Sequence, residues 1–324
     1  MRLRKAIVRS KLTIKVSLNK FKSIAVHVTV LPISFLALYT LIITVANDVP
    51  NYTHIWEISQ EWSFIEIYNQ RRIEFGSLFI LWNLAQYFSA TLMIFFTGAL
   101  ALLAKYYLFT KYINQLVIAY FLYVVTFVHI LDANQIRAAL ASCFLMYAIL
   151  APPKSKYSYL KLAALGVLFH YSAVIILSLY FVRLKFLLVV LIIIASLSFD
   201  YIVVSYEILS FAKIWLSGGD GFVSFVNSFW IMQIFIAILS VANWRYLSDG
   251  QQRGALLNIM GIVVYISFYA SPIIAHRVRE LSQLGILAIL FLGPPRLTYV
   301  TFGSSLCFAY IVGYNVLLIA SEIL

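Results

Sequence analysis

The stretch Leu160–Val182, LKLAALGVLFHYSAVIILSLYFV, decides the topology of everything that follows it. Read as one helix it is long enough to cross the ~30 Å of a bilayer's hydrocarbon core. A single crossing puts Arg183, Lys185, Arg245, Arg253 and Arg296 outside, against Lys213, Arg277 and Arg279 inside. A turn back at His170 reverses both sets. Lysine and arginine in short loops concentrate on the cytoplasmic side, so the sequence predicts the hairpin. Each arm, about ten residues or ~15 Å, is too short to span. The hairpin is therefore re-entrant or lies beside a water-filled cavity, because irregular backbone cannot face lipid.

Outward from that hairpin the chain is apolar almost throughout. It is 63% hydrophobic and 11% charged, with a mean hydropathy of +0.94. Soluble domains hold roughly 45–50% apolar residues, so a soluble fold is excluded. Expected spans run over 24–46, 75–104, 113–131, 136–150, 186–206, 223–243, 255–272, 281–293 and 297–319. With the broken hairpin near residue 170 this makes an all-α, polytopic transmembrane helical bundle of about 10–11 membrane segments. A basic cytoplasmic segment (1–23) precedes one transmembrane domain (24–324), with periplasmic loops at 47–76 and 207–222. A secretory signal also carries a basic start, but the run 24–46 exceeds the usual ~7–15-residue apolar core, which predicts an uncleaved first span.

The charge distribution agrees with that orientation. Eight basic residues precede Ile24, and Lys105, Lys111, Lys154, Lys156, Lys161, Arg183, Lys185, Arg245, Arg253 and Arg296 join them, so 18 of the 24 lie inside. The net charge of +12 falls in short clusters between apolar runs and forms no long basic face, so no nucleic-acid partner is expected. Membrane lipids are. Cys143 and Cys307 sit in apolar runs and predict neither a disulfide framework nor a metal motif. No nucleotide-binding glycine pattern, zinc-spaced cluster or serine elbow is present, and no cofactor is expected.

A few polar residues at membrane depth are candidates for chemistry. Asp132-Ala133-Asn134-Gln135-Ile136-Arg137 reads as a helix start, with Asp132 at the N-cap and Gln135 its reciprocal partner. Arg137 then lies at the positive end of the helix dipole, unfavourable by roughly 0.3–1 kcal/mol, and needs a negative partner. That partner is either Asp132 or a neighbouring acid, or a phosphate ligand, whose oxygens fit a guanidinium fork. His170, between two apolar arms, either hydrogen-bonds a neighbouring carbonyl or acts as a general base. Arg277 and Arg279 lie outside, against the inward bias, and pair with Glu280, a lipid headgroup or a ligand. Arg71 and Arg72 are expected to form a local network with Glu66 and Glu74. Among outer aromatics, Tyr52, Trp56, Trp62 and Tyr68 are candidates for stacking on sugar rings.

Several segments together resemble the EpsG-type polysaccharide polymerases, Wzy-like proteins that build O-antigen, capsule and exopolysaccharide. The resemblance rests on Asp48 with Asn51-Tyr52, Ile73-Glu74-Phe75-Gly76, Ile136-Arg137-Ala138-Ala139-Leu140-Ala141, Phe169-His170-Tyr171-Ser172-Ala173, and Arg277. The family usually has proline where this chain has Phe75 and glutamine where it has Ala138. The resemblance implies a GT-C-like glycosyltransferase of the bacterial inner membrane, with its N-terminus cytoplasmic and its active site periplasmic. It implies metal-independent, inverting transfer between undecaprenyl-diphosphate-linked oligosaccharides as donor and acceptor, and a chain-length regulator as partner. Catalysis would fall to His170, Arg137 and Asp48, and diphosphate binding to Arg137, Arg277 and Arg279. Sugar contacts would come from Glu74, Gln135, Tyr171 and Tyr52. A lipid-linked oligosaccharide flippase, a single-addition transferase or ligase, and a membrane acyltransferase are the alternatives.

Overall fold

The computed structural model describes residues 28–44, 46, 48–71, 73–113, 115–151, 155–183, 228–267 and 272–292. The basic segment 1–23, the spans expected at 186–206 and 297–319, the loop 207–222 and Cys307 lie outside them. Every regular element among the described residues is helical.

Helix α1 (Val28–Thr44) is followed, across a bend of 87°, by α2 (Val49–Glu61). Pro50 at the first turn of α2 suits a helix start, where its missing N–H is not needed. Helices α3 (Phe64–Arg71) and α4 (Phe75–Ala85) follow. The polar connection expected as a loop is thus largely helical. It folds back on itself: Gln60 Nε2 donates to the Ala85 carbonyl at 3.0 Å and Trp82 Nε1 to that of Trp62 at 3.3 Å.

The long span expected at 75–104 is two helices. The chain turns at Gln86–Ser89, where Trp56 Nε1 takes the Phe88 carbonyl at 2.8 Å, and α5 runs over Ala90–Tyr112. With 23 residues, α5 is the one described helix long and apolar enough to cross a membrane, or one of two if the bent α1–α2 pair is taken together. Lys105, expected in a cytoplasmic loop, is instead within α5 and wholly buried.

Helix α6 (Leu116–Tyr123) continues as a π-helical segment, Val124–Ala133, before α7 (Ile136–Leu150). The residue at the N-cap of α7 is Gln135. Asp132 belongs to the π segment and caps nothing, since its carboxylate is held by Lys105 and Tyr123.

The chain does reverse near His170. Helix α8 (Lys156–Val167) leads to a 3-10 helix, Tyr171–Arg183. A side chain on Gly166 would come within 2.7 Å of the Ala173 Cβ, so the two arms pack at a separation only glycine permits. After the undescribed stretch come α9 (Ser228–Ala242), a short 3-10 turn at Trp244–Tyr246, α10 (Asp249–Ser267), α11 (Pro272–Ser282) and α12 (Leu284–Phe291). The Arg277–Arg279 region, expected as a loop, is therefore helical. Helix α10 packs against both α11 and α12; a Cβ on Gly254 would meet the Ala288 Cβ at 2.8 Å.

Candidate functional site

Four stretches of the chain converge on one cluster of charge. Asp48 precedes α2 and Glu74 precedes α4, so the two ends of the α2–α3 excursion each present a carboxylate. Arg137 lies in the first turn of α7 and Arg277 on α11.

The negative partner required by Arg137 is Glu74, whose Oε2 lies 2.6 Å from its Nη1. The network expected of Arg71 and Arg72 with Glu66 and Glu74 falls on arginine side chains outside the described ones; Glu66 itself accepts from the Ser63 N–H at 2.8 Å and Oγ at 2.7 Å. Arg277 Nη2 meets Asp48 Oδ2 at 3.2 Å, and its Nη1 is 3.8 Å from Glu280 Oε2. The two guanidinium-bearing side chains stay 27% and 29% exposed. They are neutralised by acids yet open on one side.

Neutral side chains hold this cluster in place. The Asp48 N–H donates to Asn134 Oδ1 at 2.8 Å, and Gln135 Nε2 donates to Glu280 Oε2 at 2.7 Å. The turn Asn134–Arg137 thus touches Asp48, Glu280 and Glu74 in succession. Burial pushes the Glu280 carboxyl up, opposed by Arg277, Gln135 and Arg279. Tyr52 is buried against this group; burial raises its phenol, opposed by Arg137.

The hairpin docks onto the same place. Gly76 N–H donates to the Leu168 carbonyl at 2.7 Å, and Ser77 Oγ to that of Phe169 at 2.7 Å. A Cβ at Gly76 would lie 2.9 Å from the Leu168 oxygen, so glycine is required for this approach. His170 follows in the turn between the arms. Its Nδ1 accepts the Ser172 N–H at 3.2 Å and lies 2.7 Å from Ser172 Oγ. Because Nδ1 accepts a backbone N–H, the ring carries its proton on Nε2.

Not every expected residue joins the cluster. Arg279, two positions after Arg277, points to the opposite side of α11 and lies 5.1 Å from the Tyr265 ring centroid. It is buried, and its Nε and Nη1 have no hydrogen-bond partner among the described residues. Tyr171 is exposed next to His170. Trp56 is committed to the Phe88 carbonyl and Trp62 accepts Trp82 Nε1–H on its own carbonyl, whereas Tyr68 is exposed and stacks on Phe64 at 6.3 Å. No group of three or more His, Cys, Asp or Glu is placed to share a metal ion among the described residues. Sequence reasoning missed Asn134 and Lys105. Asn134 looked like part of a helix cap, and Lys105 looked like a topology signal.

A strongly apolar chain whose described elements are all helical, with arginines and acids from several helices brought together, has the make-up of a membrane-associated protein. The model of the EpsG family matches residues 25–321, and the chain belongs to that family. No curated protein and no solved structure matches it.

Proposed function

We propose that the chain is a polysaccharide polymerase that joins undecaprenyl-diphosphate-linked oligosaccharide repeat units at the periplasmic face of the bacterial inner membrane. Family membership supports polymerase-type glycosyl transfer for exopolysaccharide or related surface polymers. A row of exposed apolar side chains along α5, Leu92, Phe96, Leu100, Leu103 and Tyr107, supports embedding in lipid. The shorter apolar helices, Phe75–Ala85, Leu116–Val128, Ile136–Leu150 and Gln233–Ala242, complete a polytopic bundle around it in this reading.

One observation carries the reading: Arg137 and Arg277, on different helices, are paired with acids, Glu74 for the first and Asp48 and Glu280 for the second, yet their side chains stay partly exposed. The reaction needs stabilisation where charge develops, on the departing diphosphate. Phosphate oxygens accept the same forked donors as a carboxylate, so the donor's diphosphate displaces Glu74 and Asp48 from the arginines. The acceptor hydroxyl oxygen attacks the anomeric carbon opposite the diphosphate. The carbon–oxygen bond to phosphate breaks, its electron pair leaving with the lipid diphosphate, and configuration inverts. Asp48, freed from Arg277, takes the hydroxyl proton.

His170 is assigned a different part from the base expected of it. With Nδ1 occupied, the ring offers Nε2–H as a donor to a sugar or phosphate oxygen. Gln135, Tyr52 and Tyr171 border the sugar side, while Arg279 adds charge from the far face of α11 without contact. The reaction uses an already activated donor, so the proposal calls on no metal or cofactor. A chain-length regulator is the proposed protein partner.

Replacing Arg137 by alanine in cells should abolish long chains on a surface-polysaccharide gel while the protein still accumulates in the membrane. Persistence of the native ladder sinks the phosphate role. A flippase reading predicts loss of translocated repeat units instead, and a ligase reading predicts unchanged chain length with less polymer attached.

A further inference from the structure

Lys105, Asp132 and Tyr123 form a buried polar cluster that the proposed chemistry does not use. Lys105 Nζ lies 2.6 Å from Asp132 Oδ1, and both side chains have no exposure. The Tyr123 hydroxyl donates a short hydrogen bond to Asp132 Oδ2, and Lys105 Nζ sits 5.3 Å from the Tyr123 ring centroid. A charge pair sealed from water at membrane depth costs desolvation that an apolar pair would not, so stability alone is a weak reason for its presence.

Its place in the fold supplies a reason. Asp132 is the next-to-last residue of the π-helical segment. Two residues on, Asn134 accepts the Asp48 N–H; then Gln135 binds Glu280 and Arg137 binds Glu74. A π-helix carries more residues per turn than an α-helix, and a shift between the two would rotate Asn134, Gln135 and Arg137 about the axis together. Three contacts made by α5, α6 and the π segment pin that register: Lys105 on one carboxylate oxygen, Tyr123 on the other, and the close backbone approach at Gly98, where a Cβ would lie 2.6 Å from the Asp132 carbonyl oxygen.

We propose that Lys105 and Tyr123 are positioning residues: by clamping both oxygens of Asp132 they fix the register of the π segment, and through it the aim of Asn134, Gln135 and Arg137 at the site. The assignment rests on the polymerase reading for its kinetic readout. Its structural readout does not.

The test uses the full chain, purified in detergent with lipid-linked repeat units as substrate. K105M alone leaves a buried carboxylate unpaired and lowers the melting temperature; K105M/D132L removes both charges and should restore it. If the pair sets register, the restored double variant still turns over roughly 100-fold more slowly, as misplacement by about an ångström typically does. Replacing Arg137 by alanine then costs little more in that background, whereas it costs the full factor in the native one. Y123F, which removes one hydroxyl and keeps the ring, should fold normally and slow turnover several-fold. Independently of activity, a short thiol cross-linker should join Q135C to E280C in an otherwise cysteine-free chain, and the yield should fall several-fold with K105M/D132L. Native turnover in both K105M/D132L and Y123F, or an undiminished cross-link, overturns the proposal. A lost cross-link with no dependence of turnover on Arg137 sinks the catalytic reading and leaves the register assignment standing.

Discussion

Arg137–Glu74 and Lys105–Asp132 are both cation–carboxylate pairs with a 2.6 Å contact, yet the Arg137 side chain is 27% exposed while Lys105 and Asp132 are both fully buried. The first pair has an open side through which another anion can reach the guanidinium. The second has none. Arg277–Asp48 resembles the first, at 29% and 25% exposure. In the proposed reading the difference separates two uses of charge at depth: open pairs exchange partners with a ligand, and a closed pair holds a backbone in place.

The comparison is broken most severely at the closed pair. K105M should destabilise the chain by about 3–5 kcal/mol, the usual cost of orphaning a buried charge, whereas D48N on the half-open pair should cost no more than about 1 kcal/mol. Thermal unfolding in detergent reads both, and equal losses would erase the distinction. The open pairs should fail in the other measurement. R277A should lower turnover roughly 10²–10³-fold, the range for removing one donor to a developing anion, with a melting temperature near native.

A smaller effect is expected at His170. H170Q, which keeps a side-chain N–H donor, should slow turnover only several-fold, and a loss of roughly 10²–10⁴-fold would return His170 to the role of base.

The hairpin was legible because charge counts on either side of Leu160–Val182 could discriminate two topologies, and His170 does stand at its turn. Arg137 was legible for a local reason, a cation at a helix N-terminus in want of an anion. Its partner was not, because Glu74 lies 63 positions away and no local pattern encodes the pairing. Asp132 misled for the complementary reason. A capping pattern is local, and tertiary contact with Lys105, 27 residues earlier, outweighed it. The break at Gln86–Ser89 carries no proline, glycine or charge to mark it, and the turn there is held by Trp56, a side chain from the preceding excursion. The separation of Arg277 from Arg279 follows from helical geometry, and reading that region as a loop concealed it.

The most direct measurement gives purified native chain and its R137A variant the same lipid-linked repeat units and resolves the products by length. The account predicts a ladder of newly bonded polymer with lipid diphosphate released at each step from the native chain, and unreacted substrate from the variant. Ladders of equal length from both, or substrate moved across a vesicle with no new glycosidic bond from the native chain, would contradict it.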